Sequence, residues 1–139
     1  MRIEKHDHDC ENERLWGKIG CHLVTPAVHK ILGGYVVSTQ DCTWWVALTD
    51  DDKTAGFCMA RRHKNGKVVL TYAYVLPEYR DNGLYSRLFE DRLADVLSWP
   101  GVTVLEAAVN TNSAPMFLGH GFVETGCWGE FLVMQRRVK

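Results

Sequence analysis

The chain has 139 residues, of which 46% are hydrophobic and 24% charged, with a formal net charge of −1. That length supports a core without covalent staples, and the near-zero charge gives no global pull toward nucleic acid or an anionic membrane, so neither is an expected partner. Five cysteines (Cys10, Cys21, Cys42, Cys58, Cys127) without a Cys-x-x-Cys pair argue against a disulfide framework and a zinc ribbon.

With no apolar run of membrane-spanning length and no signal-peptide core at its N-terminus, the chain reads as one cytoplasmic domain over 1–139. His6-x-His8-x-Cys10 sets two imidazoles and a thiol on alternate positions, but a fourth ligand is lacking nearby. No metal is assigned, and the segment reads as a tail. Glu11 to Leu23 is expected to be helical from Leu15, Ile19 and Leu23, although Gly17 and Gly20 weaken the pattern. Thr25 as N-cap, Pro26 in the first turn and Gly33-Gly34 past the end frame a short helix over Ala27 to Leu32. Trp44 to Leu48 and Gly56 to Arg62 read as strands joined by a polar turn at Thr49 to Lys53. Trp44 and Trp45 fall on opposite faces, one for the core and the other for a groove or a flanking helix.

Asn65-Gly66 is a strong hairpin signal. The basic residues around it, Arg61 to Lys67, read as a solvated turn far from any site at the other end of the next strand. That strand ends near Leu76, where Pro77 forbids continuation in the sheet, and Leu84, Leu88, Leu93 and Val96 begin a helix near Asn82 or Gly83 that runs to Trp99. Strand Val102 to Val109 completes a βαβ unit, so the strands ending at Leu76 and Val109 should run parallel. Phe131 to Val138 closes the sheet.

The junction at Val75 to Ser86 carries the chemistry. The first N–H groups of a helix have no partner within it and carry the positive end of its dipole, so they suit a pyrophosphate; Arg80 adds a charge and Gly83 permits close approach. Val75-x-Pro77-x-Tyr79-Arg80-x-x-Gly83-Leu84-x-Ser86-x-Leu88 resembles the acyl-coenzyme A motif of the GCN5-related N-acetyltransferase (GNAT) superfamily. Asn110-x-x-Ser113-x-x-x-Phe117-x-x-x-Gly121-Phe122 is similar to that family's later segment, and the resemblance covers roughly residues 44 to 137.

The resemblance implies an α/β fold of GNAT type: antiparallel N-terminal strands, then a βαβ unit whose parallel pair splays. It implies transfer of an acetyl group from acetyl-coenzyme A to a primary amine of a small molecule or protein. Coenzyme contacts would fall on Val75, Leu76, Arg80, Asp81, Asn82, Gly83, Leu84, Tyr85, Ser86 and Asn110, with the Tyr74 backbone beside them. Two positions depart from the family pattern: Tyr85 stands where a small residue is usual, and Phe117 where a proton-donating Tyr is usual. His120, on nearly the same helical face as Phe117, is the candidate substitute acid. Glu106, which interrupts an apolar strand, and Tyr74 are the candidate bases. A non-catalytic member that binds acyl-coenzyme A or a protein is the alternative. A homodimer is compatible with this reading.

Overall fold

The computed structural model describes residues 1–138. They form β1 (Arg2–Asp7), α1 (Glu13–Leu23), α2 (Pro26–Leu32), β2 (Cys42–Leu48), β3 (Thr54–Arg62) and β4 (Lys67–Val75). After a single 3₁₀ turn at Pro77–Tyr79 come α3 (Leu84–Ser98), β5 (Val104–Val109), α4 (Ala114–Gly119), β6 (Val123–Trp128) and β7 (Phe131–Arg137). The strands make one seven-stranded sheet in the order β1-β2-β3-β4-β5-β7-β6. Among the described residues only β4 and β5 pair in parallel. This is the mixed α/β architecture expected, and the parallel pair is the one the βαβ pattern requires.

Each face of the sheet has its own core. Leu15 and Ile19 of α1 and Val28 of α2 pack on Trp44, Val46, Leu48 and Phe57. On the other face Leu84, Leu88, Phe89, Leu93 and Val96 of α3 pack on Trp45, Ala47, Val68, Leu70, Leu105 and Ala107. The alternation along β2 is that of a strand buried on both sides. Both indoles are anchored: Trp44 Nε1 donates to Ser38 Oγ at 3.0 Å and Trp45 Nε1 to Asp95 Oδ2 at 2.7 Å. Both rings are buried, so neither is left to line a groove.

The caps differ in detail from expectation. Asn12 caps α1 by accepting the Leu15 N–H at 3.0 Å. Thr25 stands at the N-cap of α2, yet its hydroxyl donates back to the Cys21 carbonyl at 2.9 Å and makes no cap bond. Pro26 in the first turn therefore starts that helix, and Gly33, at φ 84°, ends it.

Two strands go beyond the expected set. The N-terminal segment is no tail: β1 pairs antiparallel with β2 from Arg2–Leu48 to Asp7–Thr43. His6 bonds Glu4 and Asn12, while His8 bonds Ser38. Among the described residues no three metal-ligating side chains converge. The second is β6, a fully exposed edge strand that reaches the sheet through β7.

β4 carries the irregularity that shapes the site. Met59 of β3 opposes Thr71, whereas Phe57 opposes Tyr74, so two steps on β3 are matched by three on β4. The extra residue is a bulge, and Tyr72 within it takes φ 53°, which costs a bulky residue about 1–3 kcal/mol. Its surroundings offset that cost: Tyr72 stacks on Trp44 at 6.2 Å and its hydroxyl accepts the Val37 N–H at 3.2 Å. The bulge also switches the strand's facing. Val68 and Leu70 lie in the α3 core, whereas Tyr72 and Tyr74 pack with the α1 and α2 core. From α3 the buried Arg92 donates through Nη1 to the Met59 carbonyl at 3.0 Å and the Thr71 carbonyl at 3.2 Å, bracing the bulge from beneath.

Candidate active site

β4 and β5 pair through Lys67–Val104, Val68–Leu105 and Val69–Glu106, and no further. Beyond that point β4 continues to Val75 and β5 to Val109 unpaired with each other, so the strands part toward their C-terminal ends. A cavity of about 620 Å³ fills the gap. Ile31 and Leu32 of α2 line it on one side of the sheet, and Leu84 and Arg92 of α3 on the other. The gap thus connects the two faces.

At the mouth stands the start of α3. Pro77 ends β4, the chain makes one tight turn, and Asp81 and Gly83 both adopt the left-handed region, at φ 65° and 75°. Asp tolerates that conformation and Gly adopts it freely. Gly83 is the N-cap and has no side chain to offer, so the first N–H groups of α3 receive no side-chain cap. Chain neighbours aside, nothing among the described residues lies within 4 Å of where a Gly83 Cβ would be, which leaves room for a ligand against the backbone. Arg80 arches over the strand end: its Nε donates to the Val75 carbonyl at 2.9 Å, and its guanidinium lies 5.4 Å from the Tyr74 ring centre.

Of the residues singled out in the sequence, the cavity gathers Tyr74, Val75, Arg80, Asp81, Gly83, Leu84, Tyr85, Ser86 and Asn110. Leu76, Asn82, Glu106 and His120 do not line it. Leu76 sends its N–H to the Ala55 carbonyl on β3 at 2.9 Å, away from the gap. Asn82 is exposed to solvent beside the loop. Asn110 sits at the end of β5, with its Oδ1 accepting the Ser113 N–H at 2.9 Å.

The chain matches the model of the "Acetyltransferase (GNAT) family" over residues 8–122. It belongs to the GNAT acetyltransferase family. Solved structures agree on the fold: Escherichia coli ElaA superposes with a TM-score of 0.77 at 12% identity, over 98% of this chain and 99% of that one. An acyl-CoA N-acyltransferase from Pseudomonas aeruginosa gives 0.73 at 16% identity, over 97% and 99%. The PaiA N-acetyltransferase of Thermoplasma acidophilum, solved in complex with coenzyme A, gives 0.64 at 14% identity, over 99% of each chain. Among curated proteins none matches the chain in sequence.

Within this GNAT frame, the positions that depart from the family pattern have clear surroundings. Phe117 is buried, edge-on to Phe89 at 4.8 Å and to Phe122 at 5.1 Å. Tyr85 turns from the first turn of α3 toward α4, its hydroxyl 3.5 Å from Ser113 Oγ. It therefore spans the gap near its mouth instead of lying over the loop. His120 packs its ring 4.7 Å from Phe89 and donates through Nδ1 to the Met116 carbonyl at 2.8 Å, which accounts for it as a helix-end residue.

Glu106 lies where β4 and β5 are still paired. Gln135 Nε2 donates to its carboxylate at 2.7 Å and Lys67 Nζ stands 3.2 Å away. Burial pushes its carboxyl up, but the Gln135 hydrogen bond and the Lys67 charge outweigh burial and hold it below the usual range. A carboxylate so held is a poor proton acceptor. Arg92 and Thr71 line the cavity too and were not apparent from sequence: an arginine on a helix reads as solvated until the bulge beneath it is known.

Proposed function

We propose that this protein is an N-acyltransferase that moves the acyl group of a coenzyme A thioester, acetyl-coenzyme A being the simplest donor, to a primary amine of a small molecule or protein. The observation that carries this reading is that the strand gap opens against an uncapped helix start. The cavity therefore has an anion-binding end at Gly83 to Ser86 and a second end beside α2.

In this reading the N–H groups of Gly83 to Ser86 and the Arg80 guanidinium hold the pyrophosphate. The backbone of Tyr74 and Val75 and the Asn110 amide flank the arm that enters the gap. The amine approaches from the α2 side. Tyr74 is the one proposed base that lines the cavity, and its hydroxyl is assigned the relay of the attacking amine's proton to solvent, accepting one proton as it gives up its own. Glu106 and His120 are withdrawn from the catalytic set because each is engaged outside the cavity. Phe117 offers no proton, so the thiolate leaves without general acid help, which typically forgoes about 10²–10⁴-fold in rate. Phe117 also supports a second reading, in which the protein binds acyl-coenzyme A without turning it over.

Calorimetric titration with acetyl-coenzyme A tests both, using the parent, Arg80→Ala and Gly83→Trp, with circular dichroism as a fold check. Micromolar binding lost in both variants, followed by amine-dependent release of free thiol, supports the enzyme. Binding without thiol release across a broad amine panel supports the second reading. A folded parent that binds nothing refutes both.

A further inference from the structure

Among the described residues Arg92 is the one fully buried charged side chain, at 1% exposure, and the reaction outlined above does not use it. Its two hydrogen bonds both leave from Nη1 and serve the carbonyls of the bulge. Nε is buried and has no hydrogen-bond partner among the described residues. No carboxylate among the described residues lies within the 4.0 Å of an ion pair with it. The Nε–Nη2 edge is the pair of donors that grips a carboxylate side-on, and here that edge belongs to a residue of the cavity wall. Bracing two neutral carbonyls calls for no more than a neutral donor. A buried, permanently charged fork without an anion is explained if the anion arrives with a substrate.

Position along the gap identifies which substrate. The anion-binding end is fixed at the start of α3, and Arg92 lies eight residues beyond Leu84, about 12 Å down the helix axis. Of the two carbonyls it holds, that of Thr71 lies two residues from Val69, where β4 and β5 close on each other. An arm entering from the loop brings its acyl end deepest, toward this closure. Resting on the reading that coenzyme A thioesters bind here, we propose that Arg92 is a specificity residue of the donor site. It receives the distal carboxylate of a dicarboxylic acyl chain of the malonyl or succinyl class. The reaction is otherwise unchanged: the amine nitrogen bonds to the thioester carbonyl carbon, the carbon–sulfur bond breaks, the amine proton ends on base or solvent, and the distal carboxylate persists in the amide product.

Binding of coenzyme A, acetyl-coenzyme A and succinyl-coenzyme A, measured by calorimetry on the whole protein, tests this without knowledge of the acceptor. The expected result is succinyl-coenzyme A binding about tenfold or more tighter than acetyl-coenzyme A, as a charge-assisted bidentate contact implies. Arg92→Gln, which keeps a donor for the bulge, should erase that preference while changing acetyl-coenzyme A affinity far less. Arg92→Lys, retaining charge without the fork, should lose most of it, and thermal melting reports whether either variant still folds. Equal binding of the two thioesters by the parent overturns the proposal while leaving the coenzyme site intact. Equal binding that becomes selective only when an acceptor carboxylate such as that of an amino acid is added also overturns it, and moves Arg92 to acceptor recognition. If none of the three ligands binds, both this proposal and the function above fall.

Discussion

Replacing Gly56 with alanine tests how closely β3 and β4 must approach at the mouth of the cavity. A Cβ there would meet the Tyr74 carbonyl oxygen at 2.8 Å, Leu88 Cδ1 at 3.2 Å and Val75 Cα at 3.3 Å. The leucine methyl can rotate aside, but the two backbone atoms retreat only if β4 is pushed off β3. Gly56 does not occupy the left-handed region, so alanine suits its backbone and would gain about 0.4–1 kcal/mol by restricting the unfolded chain. Overpacking costs about 1–3 kcal/mol, and with a backbone atom only 2.8 Å away the upper half of that range applies, so the clash wins by about 1–2 kcal/mol. For a chain of this size the loss corresponds to a melting temperature lower by about 3–7 °C. Urea unfolding followed by the fluorescence of the buried Trp44 and Trp45 measures it directly. Because the displaced atoms belong to Tyr74 and Val75, affinity for coenzyme A should fall with stability. A variant as stable as the parent, or more so, would refute the inference that β4 is held rigidly at this point.

Three further outcomes are expected. Phe117→Ala removes a buried ring that meets Phe89 and Phe122 edge-on, and should cost about 3–5 kcal/mol in urea titration; a loss below one would mean that α4 packs loosely. Glu4 is pulled down to about 2 from 4.5 by hydrogen bonds from Arg14, against burial, with His6 adding to the pull. Its charge is favoured in the fold, so the stability it lends is complete above pH 4.5 and lost as pH falls toward about 2; Glu4→Gln should flatten the stability curve in that window, and unchanged curvature would discount the ion network among Arg2, Glu4, Arg14, Lys18 and Asp52. Iodoacetamide at mildly alkaline pH should alkylate the exposed Cys10, Cys21 and Cys127 and spare the buried Cys42 and Cys58, the last with its thiol pushed up to about 11 by burial. Fast modification of Cys58, read by mass spectrometry of digests, would mean that α3 opens away from the sheet.

The parts of the fold legible in the sequence are those written in local chemistry. Asn65-Gly66 marks a hairpin, Pro77 stops a strand, and the leucines of α3 repeat at helical spacing, so the β4-α3-β5 unit and its parallel pairing follow. β1 escaped because Arg2-Ile3-Glu4-Lys5 shows little apolar alternation; the segment is a strand because β2 offers it an edge, which is a long-range fact. β6 is exposed along its whole length and so leaves no hydrophobic pattern. At the site, the loop from Arg80 to Ser86 was legible because helix starts and glycines have local signatures. Glu106 stood out for a related reason: a carboxylate in an apolar strand draws the eye, and only the fold shows Lys67 and Gln135 holding it. Arg92 was invisible, since its two carbonyl partners are set by the pairing of β3 with β4 and lie 33 and 21 residues away.

The single extra residue in β4 acts as a phase shifter between two otherwise regular hydrophobic rhythms. Removing one residue between Thr71 and Tyr74 would restore unbroken alternation and turn Tyr74 toward α3 and Val75 toward α1 and α2, exchanging the walls of the gap. The segment should therefore accept a change of side chain far more readily than a change of length. A stretch that looks like faulty alternation is two sound patterns spliced out of step, and the splice gives one strand a wall in each core.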